Sequence, residues 1–304
     1  MVFGILSNKR INVVIPVKLN ITTMYVFIGN VLNERLDAKS DKINFDFSRL
    51  EFIDPTGMTV LCNLIGFLYK SRVSVSFSGA NPMKNGAVKY LDDSGFFKKY
   101  TGKSLSESPR ARDSTFPLTT ISHAESYSWI NDQLIPWISF CKGSAESSFS
   151  SIKVCFQEIF NNINDHSTTD IGCICGQYFP NKHEIEICIS DFGVGIPYNV
   201  RKFSPGLPDH LAISKAMEEG FTTKTKQKNA GAGLDILSRS VVLANKGVLW
   251  VSSLKGMVTC TSDSEKIKKT ARTVNGFYPG TLIKMRISTD FIQPDDDYIE
   301  VFEW

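Results

Sequence analysis

The chain has 304 residues, of which 42% are hydrophobic and 21% charged. That composition excludes a wholly disordered chain, and the length suffices for two domains of ordinary size. The net charge of +3 is too small to imply nucleic acid or a membrane surface as a partner.

No targeting or spanning segment is evident. The longest nearly apolar stretch, Met58 to Tyr69, is interrupted by Asn63 and falls well short of the roughly 20 residues a membrane helix needs. The first residues, MVFGILSNKR, lack a basic region ahead of a long apolar core, unlike a secretory signal. A soluble, cytoplasmic protein is expected. The cysteines agree: Cys62, Cys141, Cys155, Cys173, Cys175, Cys188 and Cys260 are odd in number and sit mostly in apolar runs, as reduced core thiols do. Alternation places the close pair Cys173 and Cys175 on one face of a strand, and no second pair completes a zinc site.

In chain order, INVVIPVKL (11–19) is rich in β-branched residues, and KINFDFS (42–48) alternates Ile43, Phe45 and Phe47 against polar neighbours. Asp54-Pro55-Thr56-Gly57 then opens a helical run, MTVLCNLIGFLYKSR, before another alternating strand, VSVSFSG (73–79). NPMKNGAVKYLDDSGFFKKY reads as a turn and an amphipathic helix. Strands separated by helices predict an α/β domain over residues 1–101. Residues 102–118, rich in Ser, Arg and Pro, read as a linker.

Beyond it, residues 119–304 form the second expected domain. Helices are predicted at about 122–141 and 147–166, strands at 171–179 and 183–193, and a long loop with a short helical piece from 196 to 232. A helix from Leu234 to about Ala244 and strands at 248–253 and 281–288 follow. The polar excursion 255–279 reads as a disordered hairpin in preference to a partner contact. The acidic end, PDDDYIEVFEW, reads as a surface tail or a docking segment.

Three motifs carry chemistry. In SIKVCFQEIFNNINDHS (151–167), Ile152, Cys155, Phe156, Ile159, Phe160 and Ile163 fall on one helix face, while Glu158, Asn162 and Asp165 line the other. Such a stripe is either a solvated face or a site; Asn161-Asn162 in mid-helix costs stability without an evident packing return. In Asp191-Phe192-Gly193-Val194-Gly195, an acidic residue ends a strand and two glycines follow, a turn where backbone approaches a ligand closely. In Gly231-Ala232-Gly233-Leu234 a glycine-rich loop enters a helix, a favourable phosphate site, with Lys224, Lys226 and Lys228 upstream as a basic lid. Gly102-Lys103-Ser104 fails as a P-loop because Phe97 stands where its first glycine should be. HExxH and GxSxG are absent.

In this order and spacing, QEIFNNINDHS, DFGVG, GAGL and Gly280-Thr281 resemble the N-box, the two glycine boxes and the Gly-Thr of the GHKL superfamily of ATP-binding domains, over about 120–288. The resemblance implies a C-terminal α/β-sandwich of the Bergerat type that binds ATP and Mg²⁺. It implies Glu158 as general base, Asn162 as the magnesium ligand and Asp191 as acceptor for the adenine amino group. Gly193 and Gly195 would lie beneath adenine, with Thr281 in support. Gly231, Gly233 and Leu234 would form the phosphate loop, and Lys224 is a lid candidate without a fixed counterpart. The upstream His123, in ISHAES, lacks the phosphoacceptor pattern of histidine kinases. The helix pair and FTTK look more like the anti-sigma-factor serine kinases.

INFDFSRLEFIDPTGMTVL and GANP…YLDDSGFFKKY resemble a STAS domain over about 10–101. Thr56 occupies the position that is phosphorylated in anti-sigma-factor antagonists, while Pro55 departs from their pattern. A helix N-cap is the preferred reading of Thr56 over a phosphoacceptor. The combined expectation is a regulatory Ser/Thr kinase acting on a STAS domain in cis or in trans. The alternatives are a slow ATPase switch, in which lid closure drives a conformational or dimerisation change, and an ATP-gated module without catalysis that recruits a protein partner.

Overall fold

The computed structural model describes residues 10–144, 149–166, 171–221 and 233–292, without the side chains of 150, 151, 162–166 and 171. Lys224, Gly231 and the acidic C-terminal segment lie outside the described residues. The chain is mixed α/β.

The N-terminal half runs β1 (Ile11–Val14), β2 (Lys18–Leu19), α1 (Met24–Val31), β3 (Lys42–Asp46), β4 (Phe52–Ile53), α2 (Pro55–Lys70), β5 (Ser74–Ser78), α3 (Gly86–Asp93) and α4 (Phe96–Thr101). β1, β3 and β5 form a parallel sheet in that order, and β2 pairs β4. Parallel neighbours require crossovers, which α1 and α2 supply. Ile43, Phe45 and Phe47 are fully buried, as their alternation predicts. α1 was not legible: MYVFIGNV mixes aromatic and β-branched residues of poor helix propensity, and packing of Met24, Phe27, Ile28 and Val31 makes it helical.

Asp54 caps α2 through a hydrogen bond accepted from Gly57 N–H at 2.9 Å, with Pro55 in the first turn. Thr56 is therefore not the cap; it lies inside the first turn, fully buried. From Met58 to Leu68, α2 is buried on nearly all sides, the signature of a helix packed between two layers.

The C-terminal half begins with β6 (Thr115–Ser122), which occupies the end of the expected linker. Pro117 masks it in the sequence; β6 is an edge strand, where a missing N–H is tolerated, and its register shifts between Phe116 and Thr119. Then come α5 (His123–Trp129), a π-helical turn (Ile130–Leu134), α6 (Ile135–Lys142), α7 (Ser150–His166), β7 (Ile171–Phe179), β8 (Glu184–Asp191), α8 (Ile196–Val200) and α9 (Asp209–Ala216). α10 (Gly233–Ser238) continues into π-helical turns over Arg239–Ala244, before β9 (Val248–Asp263) and β10 (Lys266–Ser288). The five strands are antiparallel in the order β6-β7-β8-β10-β9.

The excursion 255–279 is not a disordered hairpin. β9 and β10 pair through it to a turn at Ser264-Glu265, both with positive φ (50° and 65°), the sign pattern of a type I′ turn. Val258 and Cys260 are buried on its inner side and Ile267 and Ala271 pack beside them, while the lysines face outward or cap neighbouring carbonyls. The usual Asn-Gly turn signal is absent, which hides this hairpin from the sequence.

Strand alternation gives the five-stranded sheet two buried faces. Ile174, Ile185, Ile187, Ile189, Leu249, Val251, Ile283, Met285 and Ile287 point inward to Trp129, Phe156, Phe160 and Leu237 of the helical layer. Cys175, Cys188, Tyr278 and Leu282 point outward and join the core of the N-terminal half. α2 packs on β7 and β8, and α1 on β10. The two halves thus share a core, and α2 is held between the parallel and the antiparallel sheet.

Candidate functional site

The strongest cluster forms where β8 ends. Asp191 is on the inner face by parity, and it is buried. Its Oδ1 accepts the Gly193 N–H at 2.6 Å, closing a tight side-chain turn over Phe192. Thr281 of β10 is the direct cross-strand partner of Asp191 and is half-exposed on the same face. Gly280, at φ 83°, is required here: a Cβ would collide with the Asp191 carbonyl and lie 2.5 Å from the Gly193 nitrogen. Gly195, at φ 81°, is equally constrained, with Ser253 Oγ 2.5 Å from where its Cβ would sit.

Ser253 is a site residue that the sequence reading missed. Its hydroxyl donates to the Gly280 carbonyl at 2.6 Å and accepts the Ile196 N–H at 3.0 Å, tying β9, β10 and the glycine turn together. The faint signal was a small polar residue at an inward position of VLWVSS. The structure thus brings Asp191, Gly193, Gly195 and Thr281 together, with Gly280 and Ser253 as their supports.

A second cluster lies on α7. Ile152, Cys155, Phe156, Ile159 and Phe160 are buried, as their spacing predicts, and Glu158 is half-buried on another side. Asn161 donates from Nδ2 to Glu158 Oε1 at 3.4 Å, while its Oδ1 lies 3.1 Å from His123 Nε2 at the start of α5. This contact accounts for one of the two mid-helix asparagines. The His123 contact joins residues 38 positions apart, so His123 was not legible as a partner of Asn161. The side chain of Asn162 is outside the described residues. α10 packs against α7; its Leu234 is buried in the inner core, and Gly233 stands at its start. Among the described residues there is no group of three His, Cys, Asp or Glu side chains able to hold a metal ion.

The outer face carries different chemistry. Lys284 Nζ lies 3.0 Å from Asp54 Oδ2 and 3.1 Å from Glu186 Oε2, and Arg286 reaches Glu186 Oε1 at 3.0 Å. Both cations stack near Trp250, each 5.4 Å from its ring centre. Burial works against the charge of Lys284, but Asp54 and Glu186 together outweigh it and raise its pKa; burial pushes the Asp54 carboxyl up. Nearby, Thr59 Oγ1 is 3.3 Å from Cys188 Sγ and the Tyr100 hydroxyl 2.8 Å from Cys62 Sγ. The neighbouring Cys173 thiol draws Cys62 down to about 7 against the effect of burial. Thr56 lies within this seam, sealed from solvent.

No protein-family profile matches the sequence, and no curated protein matches it. Among solved structures, the B-subunit of the DNA gyrase from Myxococcus xanthus matches with a TM-score of 0.27 and 10% identity, over 59% of this chain and 45% of that one. The chain therefore spans less than half the length of that subunit. At this level the likeness adds nothing to what the geometry supports. Among the described residues, no helix is long and apolar enough to cross a membrane.

Proposed function

We propose that the C-terminal half is a GHKL-type nucleotide-binding unit whose ligand is ATP with Mg²⁺. The observation that carries this reading is the convergence of Asp191, Gly193, Gly195 and Thr281 at one end of the antiparallel sheet, locked by Gly280 and Ser253. A buried carboxylate beside a close-packed glycine turn supplies an acceptor and a flat approach, which is what recognition of an adenine amino group needs. In this reading Thr281 supports the base, and Gly231, Gly233 and Leu234 with Lys224 attend the phosphates.

Glu158 is the proposed general base. It would take the proton of an attacking hydroxyl while oxygen bonds to the γ-phosphorus and the bond to ADP breaks. The oxygen-rich stripe of Glu158 and the Asn161 amide on α7 suits a hard cation, and Asn162 on the same helix is the proposed ligand. Magnesium, when bound, would neutralise phosphate charge. The oxygen nucleophile belongs to a protein Ser or Thr, as in the anti-sigma-factor kinases, or to water. The complete burial of Thr56 favours water or an acceptor on another protein over Thr56 of the same chain. The N-terminal half, STAS-like in this reading, then serves as a regulatory or docking unit, in a cytoplasmic protein that recruits a protein partner or a second copy.

The test is calorimetric binding of Mg-ATP followed by the fate of a labelled γ-phosphate. Asp191→Asn is expected to lower ATP affinity at least fivefold, since one good polar contact in a buried site is worth about 1–3 kcal/mol. Glu158→Ala is expected to bind ATP normally and release or transfer no phosphate. Wild-type affinity in Asp191→Asn would remove the nucleotide reading.

A further inference from the structure

Parity along β8 divides the nucleotide turn between two masters. Asp191 faces inward, while Ser190 and Phe192, its immediate neighbours, face outward toward α2. Asn63 of α2 donates from Nδ2 to Ser190 Oγ at 2.8 Å and lies 3.4 Å from the Tyr278 hydroxyl. One turn further along α2, the Phe67 ring meets Phe192 edge-on at 6.0 Å, and Phe192 meets Tyr278 at 5.4 Å and 86°. Tyr278 is fully buried two residues before Gly280, the glycine that lies against Asp191. α2 therefore grips both strands of the turn, β8 through Ser190 and Phe192 and β10 through Tyr278.

We infer that α2 of the N-terminal half is the positioning element of the nucleotide turn, so that ATP binding and the seating of α2 on the sheet are coupled. This rests on the nucleotide reading above. The physical reason is continuity. A shift of α2 moves Ser190 and Phe192, and a strand cannot move those residues without moving Asp191 between them. By linkage, a nucleotide that holds Asp191 in place must hold α2 down by the same factor. Asn63 and Phe67 are thus positioning residues for a site they do not touch.

The interface supplies its own reporter. Cys62, on the same helix, is buried against Tyr100 and Cys173, so its reaction with a thiol reagent is expected to require that α2 lift from the sheet. The experiment measures the labelling rate of Cys62 in the full chain, located by peptide mass, with and without saturating Mg-ATP. Allosteric couplings typically amount to about 5–150-fold. ATP is expected to slow Cys62 labelling at least fivefold in the wild type. Phe67→Ala and Asn63→Ala are each expected to weaken ATP binding by at least fivefold and to shrink the protection, and Phe67→Tyr to restore both. Unchanged Cys62 labelling in protein that binds ATP, or wild-type affinity in both alanine variants, would overturn the coupling and leave the nucleotide site standing. If the wild type binds no ATP, the nucleotide reading falls and the coupling with it. The labelling arm needs no variant, so a poorly folding Phe67→Ala does not rescue the inference.

Discussion

Both faces of the five-stranded sheet are covered, but along β8 they differ in chemistry. The inner face of β8 presents Ile185, Ile187 and Ile189 to the helical layer; its outer face presents Glu186, Cys188 and Ser190 to α2. Read alone, EIEICIS is the pattern of a strand with one wet side. The wet side is instead dry, and its polar groups find partners on the other half of the chain: Glu186 with Lys284 and Arg286, Lys284 with Asp54, Ser190 with Asn63. An apolar face seeks any apolar cover, whereas a face of matched charges and hydroxyls accepts only the cover that satisfies them. The outer face is therefore expected to fix where the N-terminal half sits.

The sharpest way to break this contrast is Lys284→Met. It strands the Asp54 carboxylate in a buried seam, leaves Glu186 to Arg286 alone, and should cost about 3–5 kcal/mol in urea unfolding. Replacing the whole trio at once, with Asp54→Asn and Glu186→Gln added to Lys284→Met, should recover much of that loss, because unpaired charge and not lost packing is the cause. A triple variant as unstable as the single one would show that the seam is held by shape. On the inner face, Ile187→Val should cost only about 0.5–1.5 kcal/mol, the ordinary value for one buried methylene, and leave ATP binding unchanged. The smallest effect is expected at the hairpin tip. Replacing Ser264-Glu265 by Asn-Gly relieves left-handed positions that cost an ordinary residue roughly 1–2 kcal/mol each, against an entropic cost for glycine of about 0.5–1 kcal/mol, and should give a small rise in Tm.

The strands of the parallel sheet, the helix after Asp54, the apolar stripe of α7 and the two central strands of the antiparallel sheet were legible because their periodicity is clean and local. Asp191, Gly193, Gly195 and Thr281 were singled out from the order of motifs, and β8–β10 pairing puts them side by side. What was hidden is what depends on distant partners. β6 carries a proline that only its edge position excuses. The long hairpin is polar along its exposed side and lacks the common turn dipeptide. Ser253 and Asn161 matter through contacts to residues 27 and 38 positions away, Gly280 and His123. Alternation told which residues of β8 share a face, but nothing in the strand says that a helix more than a hundred positions earlier covers it.

The sandwiched helix has a consequence for synthesis. α2 is made early, and its own sheet is complete once β5 has emerged, yet its second seat is built from β7, β8 and β10, the last of which closes near Ser288. Until then Thr56, Thr59, Cys62 and Asn63 stand uncovered on a half-finished molecule, beside an Asp54 that still lacks Lys284. Exposed intermediates of this kind are where aggregation begins on the ribosome. A fragment ending near Gly102 should accordingly be sticky and poorly soluble, and adding the C-terminal half as a separate chain should capture it. Recovery of soluble fragment in that mixture would show the second half acting as the chaperone of its first.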